Sequence, residues 1–309
     1  MANTQSSGWR QSPLAGAHYE TLAYRRPGSR AGAPVILALH GFTGGGRDFE
    51  ICAAHDAGAW HWICPDLPGH GACRPRSPDA GVSLERWLSD FAGWVPDLVP
   101  RGSILLGYSM GGRLALHAAL RLPDRFATVI TVGAHPGLCD PGARAERRAI
   151  DARRAASLHE EGLDAFLERW RAEPLIATQE RIPEPWQTRL REVRQSQNPQ
   201  ALADALIAFS PARIPVEHAR LATFPIPFHA LVGSQDARYM ELAEWLHSKG
   251  FCTVVHAIPN AGHAAHLENP QGFSAVLNTM IPRNSQRIRE TPNERPLELE
   301  NRPNPARLQ

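Results

Sequence analysis

The sequence predicts an α/β protein, with a mostly parallel sheet, helices on both faces and a helical cap insertion. Three observations carry this. Short apolar runs of β type alternate with amphipathic helical patterns, as in chains of repeated strand–helix units. Most of those runs lack strict apolar–polar alternation, which fits strands covered on both faces. The rhythm is then interrupted once, between residues 136 and 215, by helical periodicity without a convincing strand.

In chain order, the strand-like runs fall at 35–39 (VILAL), 60–64 (WHWIC), 103–107 (SILLG), 127–132 (ATVITV), 228–232 (FHALV) and 253–258 (TVVHAI). Helical patterns lie between them, among others at 84–95, 111–121 and 239–248. Pro174, Pro183, Pro185 and Pro199 divide the interrupted stretch into several helices, because proline lacks an N–H and clashes with the preceding turn. The expected organisation is a core over 19–135, a cap over 136–215 and the remaining core over 216–282. The cap holds twelve arginines and twelve acidic residues. It is neutral in bulk, so anion binding there must come from individually aimed arginines. The polar stretch 283–309 reads as a disordered tail.

Composition narrows the function classes. The 309 residues are 43% hydrophobic and 21% charged, ordinary for a globular chain. A formal net charge of +2 gives no broad field to attract nucleic acid or an acidic membrane. Lys249 is the only lysine, so the basic residues are almost all arginines, suited to two-pronged bonds with carboxylates. Cys52, Cys64, Cys73, Cys139 and Cys252 are scattered, without a CxxC pair, and suggest neither a disulfide framework nor a zinc knuckle. The opening residues are polar, and no run approaches the 18 apolar residues of a membrane span. A soluble protein of a reducing cytoplasm is expected, without nucleic-acid or membrane partners. The oligomeric state stays open, a monomer being compatible with the sequence.

The strongest local signal is Gly107-Tyr108-Ser109-Met110-Gly111, a G-x-S-x-G between an apolar strand and a helix. Small neighbours suit a serine forced onto so sharp a turn, and the following helix aims free N–H groups at the reacting centre. A serine needs a histidine to accept its proton and an acid to orient that histidine. Asp236, in GSQD after the run 228–232, and His263, in PNAGH after the run 253–258, occur in the required order at strand ends. Taken alone, Asp236 reads equally as a turn former or helix cap, and His263 is one of 14 histidines. An oxyanion hole needs two N–H groups, and Met110 and Phe42, the latter in His40-Gly41-Phe42-Thr43 after the run 35–39, stand where they are required. The segment HGFTGGG lacks both nucleotide-loop spacings. His263 and His266 have no HExxH or carboxylate companion, so no metal is expected and His266 reads as a residue that supports the catalytic groups from behind or as a packing residue.

With HGF, DLPGHG at 66–71, GYSMGG and the ordered acid and histidine, the chain resembles the α/β-hydrolase superfamily from residue 35 to about 281. GYSMGGRLAL (107–116), GAHPGL (133–138), RAERR (144–148) and PNAGHAAHLENP (259–270) resemble one branch of it. That branch is 2-succinyl-6-hydroxy-2,4-cyclohexadiene-1-carboxylate synthase, a lyase of menaquinone and phylloquinone biosynthesis. The resemblance implies the triad Ser109, Asp236 and His263, and substrate contacts by Tyr108, Arg113, Arg147, Trp170 (in FLERWRAEPL) and Arg194 (in REVRQSQN). It also implies a small polycarboxylate substrate, no cofactor, and a 2,5-elimination of pyruvate with Ser109 as general base. For Arg147 and Arg194 a solvated helix face is the plainer alternative, and for Trp170 cap packing. A serine hydrolase with the same triad, or a silent binding protein that keeps the cleft, are the rival functions.

Overall fold

The computed structural model describes residues 8–280 except 29, 31, 78, 79 and 253, so the tail expected over 283–309 lies outside the described residues. The strands are β1 (Arg10–Ala15), β2 (Tyr19–Arg26), β3 (Val35–Leu39), β4 (His61–Pro65), β5 (Arg74–Pro75), β6 (Ser103–Tyr108), β7 (Phe126–Val132), β8 (Phe228–Gly233) and β9 (Val254–Ile258). Their order in the sheet is β1-β2-β4-β3-β6-β7-β8-β9, with β5 against β2. From β4 to β9 all neighbours are parallel, whereas β1, β2 and β5 pair antiparallel.

All six expected runs are strands, within a residue or two at their ends. Two substantial strands were not expected. β1 carries Pro13, and only Leu14 of its six residues is buried. β2 buries Tyr19 and Ala23 alone. Among the described residues β1 is an edge strand of the sheet, where a missing N–H is tolerated and little apolar surface is covered.

The helices are α1 (Glu50–His55), α2 (Leu84–Leu98), α3 (Met110–Arg121), α4 (Pro141–Glu160), α5 (Gly162–Ala172), α6 (Pro174–Ala177), α7 (Trp186–Gln195), α8 (Pro199–Ala208), α9 (His218–Ala222), α10 (Ala237–Ser248), α11 (Ala265–Glu268) and α12 (Pro270–Thr279). The run VILAL shows why the central strands are apolar throughout. Leu37 and Leu39 join the cluster containing Trp87, Phe91, Leu114 and Leu246, from α2, α3 and α10. The alternate residues Ile36 and Ala38 are equally buried but point to the opposite face, where α1 meets α12.

Between β7 and β8 the described chain forms only helices, and the four prolines divide it as read: Pro174 and Pro199 each open a helix, and Pro183 and Pro185 stand just before α7; Pro141, not singled out, opens α4. These helices have a small core of their own (Leu158, Phe166, Leu167, Leu202 and Leu206), against which Phe42 and Trp170 pack. Among the described residues no helix is long and apolar enough to cross a membrane. The five cysteines are free, and only Cys139 is exposed.

Two buried histidines fix the loop after β3. His40 donates from Nδ1 to Gly41 O at 2.8 Å and accepts the Leu67 N–H at Nε2, 3.0 Å. His70 donates from Nδ1 to Pro68 O at 3.2 Å and accepts the Thr43 N–H at Nε2, 3.2 Å. A second proton on either ring would set N–H against N–H, and burial already holds both well neutral by lowering their pKa. His266, fully buried among Phe49, Tyr108 and Phe273, is lowered to about 3 by burial.

Unfolding lets these rings take up protons from about pH 6.5 downward, so the stability they confer is complete above that pH and is lost as pH falls. Each contributes a slope of about 1.4 kcal/mol per pH unit until its folded pKa is reached. Denaturant titrations between pH 7 and pH 5 should show this acid weakening. His266→Phe should make the slope shallower by about one proton.

Candidate active site

Ser109 links β6 to α3 at φ 49° and ψ −107°, a left-handed conformation that side chains disfavour. The strain is held by neighbours: Ser109 N–H donates to Val132 O at 2.9 Å, and Arg113 N–H donates to Ser109 O at 3.2 Å. The turn also packs close, since a Cβ on Gly111 would stand 2.2 Å from Leu39 O. The hydroxyl is thereby presented at the start of α3, beside that helix's unbonded N–H groups.

Asp236 follows β8 and is 7% exposed. Both sequence readings of it hold at once. Its Oδ1 accepts the Tyr239 N–H at 3.3 Å, capping α10, and its Oδ2 accepts from His263 Nδ1 at 2.8 Å. His263 follows β9 and its Nε2 stands 3.1 Å from Ser109 Oγ, as acceptor of the hydroxyl proton. The tautomer follows from the partners: Nδ1–H faces a carboxylate, so Nε2 is free to accept.

The histidine is braced on several sides. The rings of Tyr239 and Tyr108 lie 4.5 and 5.4 Å from it, centre to centre. Glu268, buried in α11, accepts the N–H groups of Gly262 (2.8 Å) and Ala264 (3.1 Å), one on each side of His263. Its Oε1 also accepts the Thr178 hydroxyl at 3.0 Å, tying this loop to the helical insertion.

Ser109 and His263 open into a cavity of about 180 Å³. Every one of the other residues singled out except Asp236 lines it: Phe42, Tyr108, Met110, Arg113, Arg147, Trp170 and Arg194. Among the described residues the backbone N–H groups of Phe42 and Met110 have no hydrogen-bond acceptor.

The arginines differ in how far they are committed. Arg113 donates from Nε and Nη2 to Phe209 O (3.1 and 2.9 Å) and from Nη1 to His135 O (3.0 Å). It therefore ties the elbow helix to both ends of the insertion, a structural task absent from the sequence reading. Burial lowers its pKa to about 10, which leaves it charged at neutral pH. Arg147 spends its Nε on the buried Asp151 (2.8 Å). Arg194 donates from Nη2 to Gln179 Oε1 at 2.5 Å, and Gln179 donates to Tyr108 OH at 3.4 Å. Trp170 stacks on Phe166 at 5.8 Å and meets Phe42 edge-on at 5.5 Å, so it packs the insertion as well as lining the cavity. His266 contacts Tyr108 at 4.5 Å, in keeping with packing.

Sequence reading missed Asp48, Gln179, Arg154, Arg238 and Tyr239, which also line the cavity. It also missed Glu268, although that residue lies inside the quoted PNAGHAAHLENP. The one acidic residue of that motif was the available signal. Among the described residues no three His, Cys, Asp or Glu side chains are grouped as metal ligands.

A parallel sheet bearing a strained nucleophile-type serine, with acid and histidine at the ends of later strands, defines an α/β-hydrolase-type enzyme, and residues 35–276 match the alpha/beta hydrolase family model. The 2-succinyl-6-hydroxy-2,4-cyclohexadiene-1-carboxylate synthase of Salmonella paratyphi C is 32% identical over 253 residues, covering 81% of this chain and 94% of that one. MenH from S. aureus superimposes with a TM-score of 0.77 at 26% identity, covering 87% of this chain and 99% of the other. An esterase from Thermogutta terrifontis shares the fold at TM-score 0.68 and 23% identity, with coverage of 88% and 97%. The chain belongs to the alpha/beta hydrolase family and, within it, to the 2-succinyl-6-hydroxy-2,4-cyclohexadiene-1-carboxylate synthases.

Proposed function

We propose that the chain is a carbon–oxygen lyase that eliminates pyruvate from 2-succinyl-5-enolpyruvyl-6-hydroxy-3-cyclohexene-1-carboxylate, giving 2-succinyl-6-hydroxy-2,4-cyclohexadiene-1-carboxylate for menaquinone or phylloquinone biosynthesis. The observation that carries the reading is a complete Ser109–His263–Asp236 relay opening into a cavity lined by Arg113, Arg147 and Arg194. Relatives named for this product support it.

Ser109 Oγ takes the proton next to the carbonyl system while its own proton passes to His263 Nε2. Asp236 stabilises the resulting imidazolium. The electron pair left on the ring moves through the double bond and expels the enolpyruvyl oxygen, and the proton held by His263 is returned to that leaving group. No acyl-serine forms. The N–H groups of Phe42 and Met110 hold the oxyanion that develops as the proton leaves. Arg147 and Arg194, with Tyr108, Arg113 and Trp170, hold the carboxylates and the ring. A cytoplasmic setting belongs to this reading, on the five free thiols. The purified chain, supplied with substrate made in situ, should release one pyruvate per diene formed; absence of pyruvate contradicts the proposal.

A further inference from the structure

Asp48 lies in the 3₁₀ turn Gly46–Phe49 that follows the HGFTGG loop, and lines the same cavity as Ser109, Tyr108 and Arg194. It is 8% exposed. Its Oδ1 has no hydrogen-bond partner among the described residues, and neither has the Nε of Arg194. The cavity's remaining acid, Glu173, is paired with Arg154 at 2.8 Å. Asp48 is thus a buried carboxyl with one oxygen uncommitted, facing an arginine with an unused donor.

The surrounding charges explain its state. Arg194 faces it from α7, Glu50 from α1 and Asp66 from the segment after β4, with the thiols of Cys52 and Cys64 nearby. Glu50 is already held by Arg47 and Arg189, and Asp66 by the N–H groups of Gly46 and Ala72 and by Tyr24 OH. Burial pushes the Asp48 carboxyl up to about 7, with Arg194 and the Gly45 N–H opposing and Asp66 and Glu50 reinforcing.

A polyanion entering this cavity meets Arg194 and Asp48 together. Ionised, Asp48 competes for the guanidinium and repels the incoming carboxylate. Neutral, it offers an O–H to that carboxylate, an arrangement equivalent to two acids sharing a proton. We propose that Asp48 is a specificity-determining residue that, as a neutral acid, donates its O–H to a substrate carboxylate held by Arg194, so that binding takes up one proton. The proton comes from solvent onto Asp48, and no bond of the substrate is made or broken. This rests on the polycarboxylate substrate of the proposed function.

KM and kcat for pyruvate release, measured from pH 6 to 9, test it. KM of the wild-type chain should be flat near pH 6 and rise about tenfold per pH unit above pH 7. Asp48→Asn keeps a donor but cannot ionise, and should flatten that rise; Asp48→Ala should raise KM near pH 6 and lose the rise as well. A flat wild-type profile, or an Asn variant that keeps the wild-type rise, overturns the proposal. Pyruvate release by the wild-type chain at pH 6 decides the reaction itself separately. Independently of any variant, calorimetric titration with 2-succinylbenzoate in two buffers of different ionisation enthalpy should show about one proton taken up at pH 8 and almost none at pH 6. Equal uptake at both pH values overturns it as well.

Discussion

Ser109→Ala is expected to lower the rate of pyruvate release by about a thousandfold or more, with little change in thermal stability. The hydroxyl is the group of the relay that removes the substrate proton, and deleting it leaves His263 without the atom it activates, 3.1 Å away. Asp236→Asn should cost about ten-thousandfold. Its amide can still cap α10 through the oxygen that accepts Tyr239 N–H, but turns its NH₂ toward His263 Nδ1. The imidazole then carries its proton on Nε2 and cannot accept one from Ser109. Because the three groups act in series, Ser109→Ala/His263→Ala should lose scarcely more than Ser109→Ala alone. Single-turnover rates with melting temperatures measured on the same preparations check this. A Ser109→Ala protein within tenfold of wild type would contradict the assigned role.

Gly133→Ala is the second large effect, and it arises from a residue that touches no substrate. Gly133 follows β7 at φ +52°, and a Cβ there would lie 2.8 Å from His263 Nδ1 and 2.9 Å from its Cε1. No real Cβ sits so close, so the imidazole must move by several tenths of an ångström. A displacement of about 1 Å at a reacting group costs on the order of a hundredfold in rate. The left-handed backbone adds about 1 kcal/mol of destabilisation for an L side chain. Gly102 separates the two contributions: its φ is +79° but nothing lies within 4 Å of a Cβ placed there. Gly102→Ala should therefore lower the melting temperature and spare kcat, whereas Gly133→Ala should lower both.

The sheet and the relay were largely legible in the sequence for a shared reason. The central strands are covered on both faces, which demands runs such as VILAL and SILLG, and the relay residues sit at the ends of such runs. β1 and β2 escaped notice because their burial is confined to Leu14, Tyr19 and Ala23, too few residues to leave a pattern. The cavity was half visible. Its arginines were found through the resemblance, but how they are committed was not, since the carbonyl partners of Arg113 lie 22 and 96 residues away. Asp48 and Gln179 acquire their meaning only when the insertion folds Arg194 over the elbow, a juxtaposition that no local spacing records.

The assay that tests the central assignment most directly follows the purified chain acting on 2-succinyl-5-enolpyruvyl-6-hydroxy-3-cyclohexene-1-carboxylate in oxygen-18 water. A base-type serine yields pyruvate and the conjugated diene in equal amounts, with no label entering any carboxyl group. Label appearing in a carboxyl product, or substrate consumed without pyruvate, would mean that Ser109 attacks carbon rather than removing a proton.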